Sequence, residues 1–341
     1  MKKVKRLKKG DTIAVLSPSA GIPNIFPKVF DNGLTNLENM GFKIKEFPTT
    51  RKSPEYLHEN PKKRAQDINN AFKDKEVDGI IASIGGDDSV RILKYLNKSI
   101  IKKNPKFLMG LSDNTTLTTF VNQLGITTFY GPSIMVGISQ LNYIPNYKKN
   151  FEEFIFGKWK NYTYPQYPTY SNGYLDWRGE VQGVKKLEPT TGWEFPKGGK
   201  NNSSGELFGG CIEVLNFING TDFWPNKNFW KNKILFIETS EEKPSPDYVK
   251  YTLRNFGVQG ILDKIQGVLV GRARDYSNEE KKQLKENINL VVKKEFGKEF
   301  PIVTNMDFGH TDPQIILPLG MKASINSKKQ EVKLLESPFI N

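Results

Sequence analysis

From residue 10 to residue 135 the chain alternates strand and helix signals so regularly that few folds can accommodate it. Residues 11–16 read as a strand, 27–40 carry Phe30, Leu34, Leu37 and Met40 at helical spacing, and 43–47 form a short strand. Residues 61–72 then read as helix, 79–84 as a buried strand, 89–96 as helix, 106–111 as strand, 115–124 as helix and 127–130 as strand. Such βαβ alternation predicts a mostly parallel sheet with helices on both faces and ligands at the carboxyl ends of its strands. The expected unit is a Rossmann-like or flavodoxin-like α/β domain.

At 341 residues the chain exceeds one typical core, and its composition changes midway. Between about 140 and 205 it is rich in Tyr, Asn, Pro and Gly, as in Asn161-Tyr162-Thr163-Tyr164-Pro165, with little helical period. The expected organisation is an N-terminal α/β domain over 1–140, a linker and irregular substrate loop over 141–205, and a β-rich, α+β domain over 206–341. The last part carries strands at 233–237 and 265–270, helices at 246–256 and 278–296, and mostly strands and turns thereafter.

No apolar run approaches the roughly 20 residues a membrane-spanning helix needs, so no membrane partner is expected. Lys2, Lys3, Lys5, Arg6, Lys8 and Lys9 resemble the start of a secretory signal, but the apolar stretch that follows is too short. A mature, cytoplasmic N-terminus is the expectation, and Cys211, the lone cysteine, agrees with a reducing compartment. The net charge of +13 raises a nucleic-acid partner. The lysines are scattered among 37 acidic residues without a basic, aromatic-interleaved stripe, so a solvated surface that helps attract an anionic small substrate is the favoured reading and no nucleic acid is expected.

The stretch Phe107-Leu108-Met109-Gly110-Leu111-Ser112-Asp113-Asn114-Thr115-Thr116 reads as a strand that stops at Gly110, presents Ser112, and starts a helix bearing Leu117, Phe120, Val121 and Leu124. A serine at such a corner is a nucleophile or an ordinary helix cap, and the corner alone does not separate the two. A nucleophile needs a base, and the base needs a carboxylate to hold its tautomer. Only His58 and His310 can supply an imidazole. His58 sits in a polar pre-helix loop and reads as a surface residue; His310, in Phe308-Gly309-His310-Thr311-Asp312-Pro313, follows the apolar run Ile302-Val303. Two histidines and one cysteine make a zinc site hard to assemble, and neither metal nor cofactor is expected.

Glu238 ends the strand Ile234-Leu235-Phe236-Ile237, whereas Glu241 and Glu242 in the loop beyond read as solvent-facing charge. Ser112, Glu238 and His310 are thus three triad candidates at three strand ends. In Ile84-Gly85-Gly86-Asp87-Asp88-Ser89 a strand runs into two glycines before a helix, a turn suited to an oxyanion or phosphate, or simply a tight turn with a capped helix after it.

These stretches, with Ser17-Pro18-Ser19, Gly209-Gly210-Cys211 and Ile237-Glu238-Thr239-Ser240-Glu241-Glu242, resemble in order the serine LD-carboxypeptidase family, more closely its microcin C immunity branch. The resemblance implies a Ser112-Glu238-His310 triad, an oxyanion hole from the backbone N–H groups of Gly86 and Asp113, and a homodimer of two-domain subunits with the site between the domains. It implies an amide substrate near a free carboxylate: an aminoacyl- or peptidyl-nucleotide for the immunity branch, or a muropeptide losing its terminal D-amino acid for the carboxypeptidases. A ligand-binding module that has lost catalysis is the non-enzymatic alternative. In the loop Thr191-Gly192-Trp193-Glu194, Trp193 is a candidate nucleobase contact, although core packing is the commoner role of tryptophan. Glu194, Phe195 and the Gly- and Asn-rich residues 197–204 depart from the branch pattern.

Overall fold

A computed structural model describes residues 1–179, 181–196 and 199–340; Lys197 and Gly198 of the Gly- and Asn-rich stretch lie outside the described residues. The predicted alternation forms a six-stranded sheet. Its parallel strands lie in the order Thr128–Tyr130, Phe107–Gly110, Gly79–Ala82, Thr12–Leu16, Lys43–Glu46. Gly79–Ala82 and Phe107–Gly110 are buried at every residue, as expected of parallel strands covered on both faces. Helix Pro27–Asn39 starts with proline in its first turn, where the missing N–H costs nothing, and buries Val29, Phe30, Leu34 and Leu37. The segment expected to be a helix over 89–96 is instead a 3₁₀ turn, Ser89–Tyr95.

The second sheet has seven strands. Four are parallel, in the order Ile302–Met306, Gly267–Gly271, Lys233–Glu238, Asn202–Cys211, and three antiparallel strands follow: Lys322–Asn326, Glu331–Leu334 and Tyr162–Thr163. Helices Pro246–Val258 and Asn278–Asn289 connect the parallel strands. Within this β-rich half, the edge nearest the chemistry is therefore itself a parallel α/β arrangement whose strand ends project Glu238 and the residues after Met306.

The halves interlock. Leu317–Leu319 leaves the second half to pair antiparallel with Thr128–Tyr130, and Tyr162–Thr163 of the Tyr- and Pro-rich segment closes the edge of the second sheet. The Cys211 N–H donates to Thr115 Oγ1, 3.0 Å away, while Cys211 itself is in register with Glu238. One hydrogen bond thus ties the start of the Thr115–Gln123 helix to the strand pair that carries the glutamate. Among the described residues no helix is long and apolar enough to cross a membrane.

Candidate active site

Ser112 sits where strand Phe107–Gly110 gives way to helix Thr115–Gln123, at φ +61°, a left-handed conformation that costs a non-glycine residue of order 1–3 kcal/mol. A serine serving only as a helix cap has no need of it. The capping reading also lacks its hydrogen bond: no side-chain cap forms at either turn, and Asn114 Nδ2 instead donates to the carbonyls of Ile84 (3.0 Å) and Leu111 (2.9 Å).

The Gly85-Gly86 turn packs directly against this corner. A Cβ on Gly85 would lie 2.7 Å from Ser112 Cβ and 3.2 Å from the Asp113 nitrogen; one on Gly86, at φ +148°, would lie 2.2 Å from Ser19 Oγ. Only glycine permits this approach. Asp113 is buried and pins the surrounding loops: Ser19 Oγ donates to its carboxylate at 2.6 Å and the Ser89 N–H at 2.8 Å. Burial pushes its carboxyl pKa up, against those hydrogen bonds. From the other side the buried Arg64 forks onto Asp88, at 2.5 and 3.1 Å, and onto the Pro18 carbonyl at 2.9 Å. The turn is fixed before any ligand arrives.

Glu238 and His310 meet. Glu238 Oε2 lies 2.7 Å from His310 Nδ1, and both side chains are buried. Gly309 (φ +101°) makes the approach possible, because a Cβ there would stand 2.5 Å from Glu238 Oε2. The other carboxylate oxygen, Oε1, accepts a 2.5 Å hydrogen bond from Tyr130 Oη, which itself accepts from the Ser112 N–H at 3.2 Å. Tyr130 is kept protonated: burial, then the Glu238 charge, drives its pKa well above the usual value. It joins the nucleophile corner to the carboxylate. Its only signal in the sequence is a strand-end position.

Glu241 keeps the exposed position that its loop suggested, its side chain 52% exposed, yet it also reaches the imidazole. Its Oε2 lies 3.0 Å from His310 Nε2, so the imidazole has a carboxylate on each nitrogen. Burial alone disfavours the imidazolium, but Glu238 and Glu241 outweigh it and raise the His310 pKa to about 10. Burial likewise works against the Glu241 carboxylate, and the imidazolium overrides it, lowering that pKa to about 2. Among the described residues no hydrogen bond joins Ser112 Oγ to His310.

Ser112, Gly86, Glu241 and His310 line one cavity of about 470 Å³, together with Phe26, Tyr174, Trp177, Arg178 and Arg274. Trp177 packs edge-on to Phe26, with ring centroids 5.6 Å apart, and tilts toward Tyr174 at 5.7 Å. Trp193, the tryptophan singled out in the sequence, is elsewhere. It is 5% exposed, does not line this cavity, and its Nε1–H donates to Asp307 Oδ2 at 2.6 Å. Asp307 also pairs with the buried Arg272 at 2.5 Å, so the Trp193 indole belongs to a buried polar cluster. His58 lies on the surface, its side chain 72% exposed.

Comparison with known proteins agrees over the whole fold. Residues 13–131 match the LD-carboxypeptidase N-terminal domain and residues 204–325 the LD-carboxypeptidase C-terminal domain. The chain is 29% identical to a probable murein peptide carboxypeptidase of Bacillus subtilis, covering 96% of this chain and 92% of that protein. It is 27% identical to the microcin C7 self-immunity protein MccF of Escherichia coli, covering 96% and 94%. A solved structure of MccF in complex with aspartyl sulfamoyl adenosine superposes with a TM-score of 0.88 at 26% identity over 100% of both chains. With both characteristic domains matched in order across two interlocked sheets, the chain belongs to the LD-carboxypeptidase family and is a peptidase.

Proposed function

We propose that the protein is a serine peptidase of the microcin immunity type, cleaving the amide that links an amino acid to a nucleotide. The observation that carries this reading is the 2.7 Å Glu238–His310 pair opening onto the same cavity as a serine at φ +61°. Ser112 Oγ attacks the amide carbonyl, His310 Nε2 takes its proton and returns it to the leaving amine, and Glu238 holds the imidazole by Nδ1–H. The N–H groups of Gly86 and Asp113 stabilise the oxyanion. The aromatic wall of Trp177, Tyr174 and Phe26 suits a nucleobase, Arg178 and Arg274 suit an anionic linker, and the fold matches MccF bound to an aminoacyl-nucleotide analogue. The buried, unpaired Cys211 is in keeping with a cytoplasmic enzyme, and the family resemblance with a homodimer.

A second reading, removal of a terminal D-amino acid from a muropeptide, is favoured by Arg274 as a receptor for a free carboxylate and by the similarity to the murein peptide carboxypeptidase. Purified protein is offered an aspartyl-nucleotide amide and a muropeptide tetrapeptide. The proposal expects cleavage of the first, lost in Ser112→Ala and His310→Ala with the fold intact. Cleavage of the tetrapeptide alone establishes the second reading, and undiminished turnover by Ser112→Ala removes both.

A further inference from the structure

A cavity of about 360 Å³ opens beside helix Asn278–Asn289 and shares no lining residue with the Ser112 cavity. Val270, Gly271, Thr304 and Asn305 bring to it the carboxyl ends of the parallel strands Gly267–Gly271 and Ile302–Met306, the ends at which α/β sheets collect ligands. The helix supplies one wall, with Asn278, Lys281 and Lys285 spaced along one face, and the loop at residues 189–194 supplies another. That loop is fixed in advance. Asn305, held at φ +59°, donates from Nδ2 to the Gly192 carbonyl at 2.7 Å and accepts from Arg272 Nε at 3.2 Å. Left-handed backbone at a non-glycine residue is strain of the kind stored at functional sites.

The donors of this cavity are unspent. Thr190 Oγ1 accepts from the Gly192 N–H at 3.1 Å, from Arg272 Nη2 at 3.3 Å and from Asn305 Nδ2 at 3.5 Å, so its own proton has no acceptor among the described residues. Thr191 Oγ1 likewise only accepts, from Asn305 Nδ2 at 3.4 Å. Thr304 is 4% exposed, and its hydroxyl has no hydrogen-bond partner. Lys281 is partly buried, stands 5.9 Å from the Tyr170 ring, and forms no ion pair among the described residues. Glu194, the one carboxylate among the lining residues, is neutralised by Lys285 at 2.9 Å. Hydroxyls around a free ammonium suit a tetrahedral anion. A carboxylate is best met by the planar fork of a guanidinium, and the fork here, Arg272, is committed to Asp307 and stacked on Tyr170 at 4.5 Å. We propose that this cavity is a second binding site, separate from the Ser112 cavity, that takes the phosphate group of a small molecule, with Lys281 as counter-charge and the Thr190, Thr191 and Thr304 hydroxyls as donors. At about 360 Å³ it has room for the organic group that carries the phosphate.

Titration calorimetry of the full chain with inorganic phosphate, in a chloride buffer of fixed ionic strength, tests the site, and thermal unfolding checks each variant. The wild type should bind saturably. Lys281→Ala should weaken binding roughly 10- to 150-fold, the loss of a charged donor, and Thr304→Val roughly 2- to 13-fold, the loss of a neutral one. Thr304→Val removes a hydroxyl that has no partner, so it should fold as the wild type does. Lys282→Ala, at an exposed lysine one position along the helix, and Arg274→Ala, in the Ser112 cavity, should leave the affinity unchanged. No saturable binding by the wild type, undiminished binding in Lys281→Ala, or equal weakening in Lys282→Ala overturns the site. A loss in Arg274→Ala alone moves the anion to the Ser112 cavity and overturns it as well.

Discussion

Glu241 Oε2 lies 3.0 Å from His310 Nε2, the ring nitrogen through which the serine proton would pass. Against the cost of burial, the paired carboxylates Glu238 and Glu241 hold the His310 pKa at about 10, so near pH 7 the imidazole is protonated. A base must be neutral. The prediction is that kcat/KM rises with pH through the neutral range and into the alkaline, and that Glu241→Gln, which removes one of the two carboxylates, moves this acid limb to lower pH. A pH–rate profile of the two proteins measures it; superimposable limbs would separate Glu241 from the titration of His310.

The same contact makes stability depend on pH. A histidine raised from 6.5 in the unfolded chain to about 10 in the fold contributes stability that is full below pH 6.5 and lost as the pH climbs toward 10. Glu241, lowered from 4.5 to about 2, contributes stability present above pH 4.5 and lost as the pH falls through 2. Its side chain is 52% exposed and screened by water, so the acid-side loss is the smaller. The unfolding midpoint is expected to be highest between pH 4.5 and 6.5 and to fall on the alkaline side. In His310→Gln that alkaline fall should flatten.

Tyr130→Phe removes a single hydroxyl that accepts from the Ser112 N–H and donates to Glu238 Oε1. Ring volume is conserved, so the core around Phe236, whose ring lies 5.5 Å away, is kept. The buried Glu238 loses one donor of a charge-assisted bond, a loss of about 1.5–3 kcal/mol. Where that loss falls on positioning His310, kcat drops roughly 10- to 150-fold with KM little changed. Steady-state kinetics on the aspartyl-nucleotide amide, with a melting curve alongside, distinguish this from a purely structural role, which would lower the melting point and spare kcat.

What the sequence could convey divides along physical lines. The strands that carry Ser112, Glu238 and His310 are legible because fully buried parallel strands write themselves as short apolar runs, and a polar residue just beyond such a run is conspicuous. The meeting of Glu238 with His310 is not legible from spacing, since 72 residues separate them and register between the halves is set by contacts such as Cys211 with Thr115. The crossing of strand Leu317–Leu319 is not legible in the sequence, because a strand of three buried residues reads the same whichever sheet receives it. The contact of Glu241 with His310 is not legible for a different reason. In Thr239-Ser240-Glu241-Glu242-Lys243 every residue is polar, and only the fold of the loop decides which of two adjacent glutamates reaches the imidazole.

The tryptophans are the sharpest case. Trp193 follows a glycine in a polar loop, and Trp177 lies in Leu175-Asp176-Trp177-Arg178, an equally plain context. The difference between them is tertiary: Trp193 donates to Asp307 in a buried cluster, and Trp177 faces the Ser112 cavity. Trp193→Phe deletes the indole donor while the Tyr167 N–H, at 3.2 Å, and Arg272 still hold Asp307. It should therefore cost about 1–3 kcal/mol of stability and leave KM for the aspartyl-nucleotide amide unchanged. Trp177→Ala removes a half-buried ring packed against the core and against Phe26 and Tyr174, so it should also lower the melting point, each aromatic contact contributing about 0.5–1.5 kcal/mol. If the ring stacks on a base, its loss costs about 1–3 kcal/mol of binding and raises KM roughly 5- to 150-fold. Denaturation curves and KM for both variants decide the assignment, because a raised KM in Trp193→Phe with none in Trp177→Ala would return the nucleobase contact to the loop at residues 191–194.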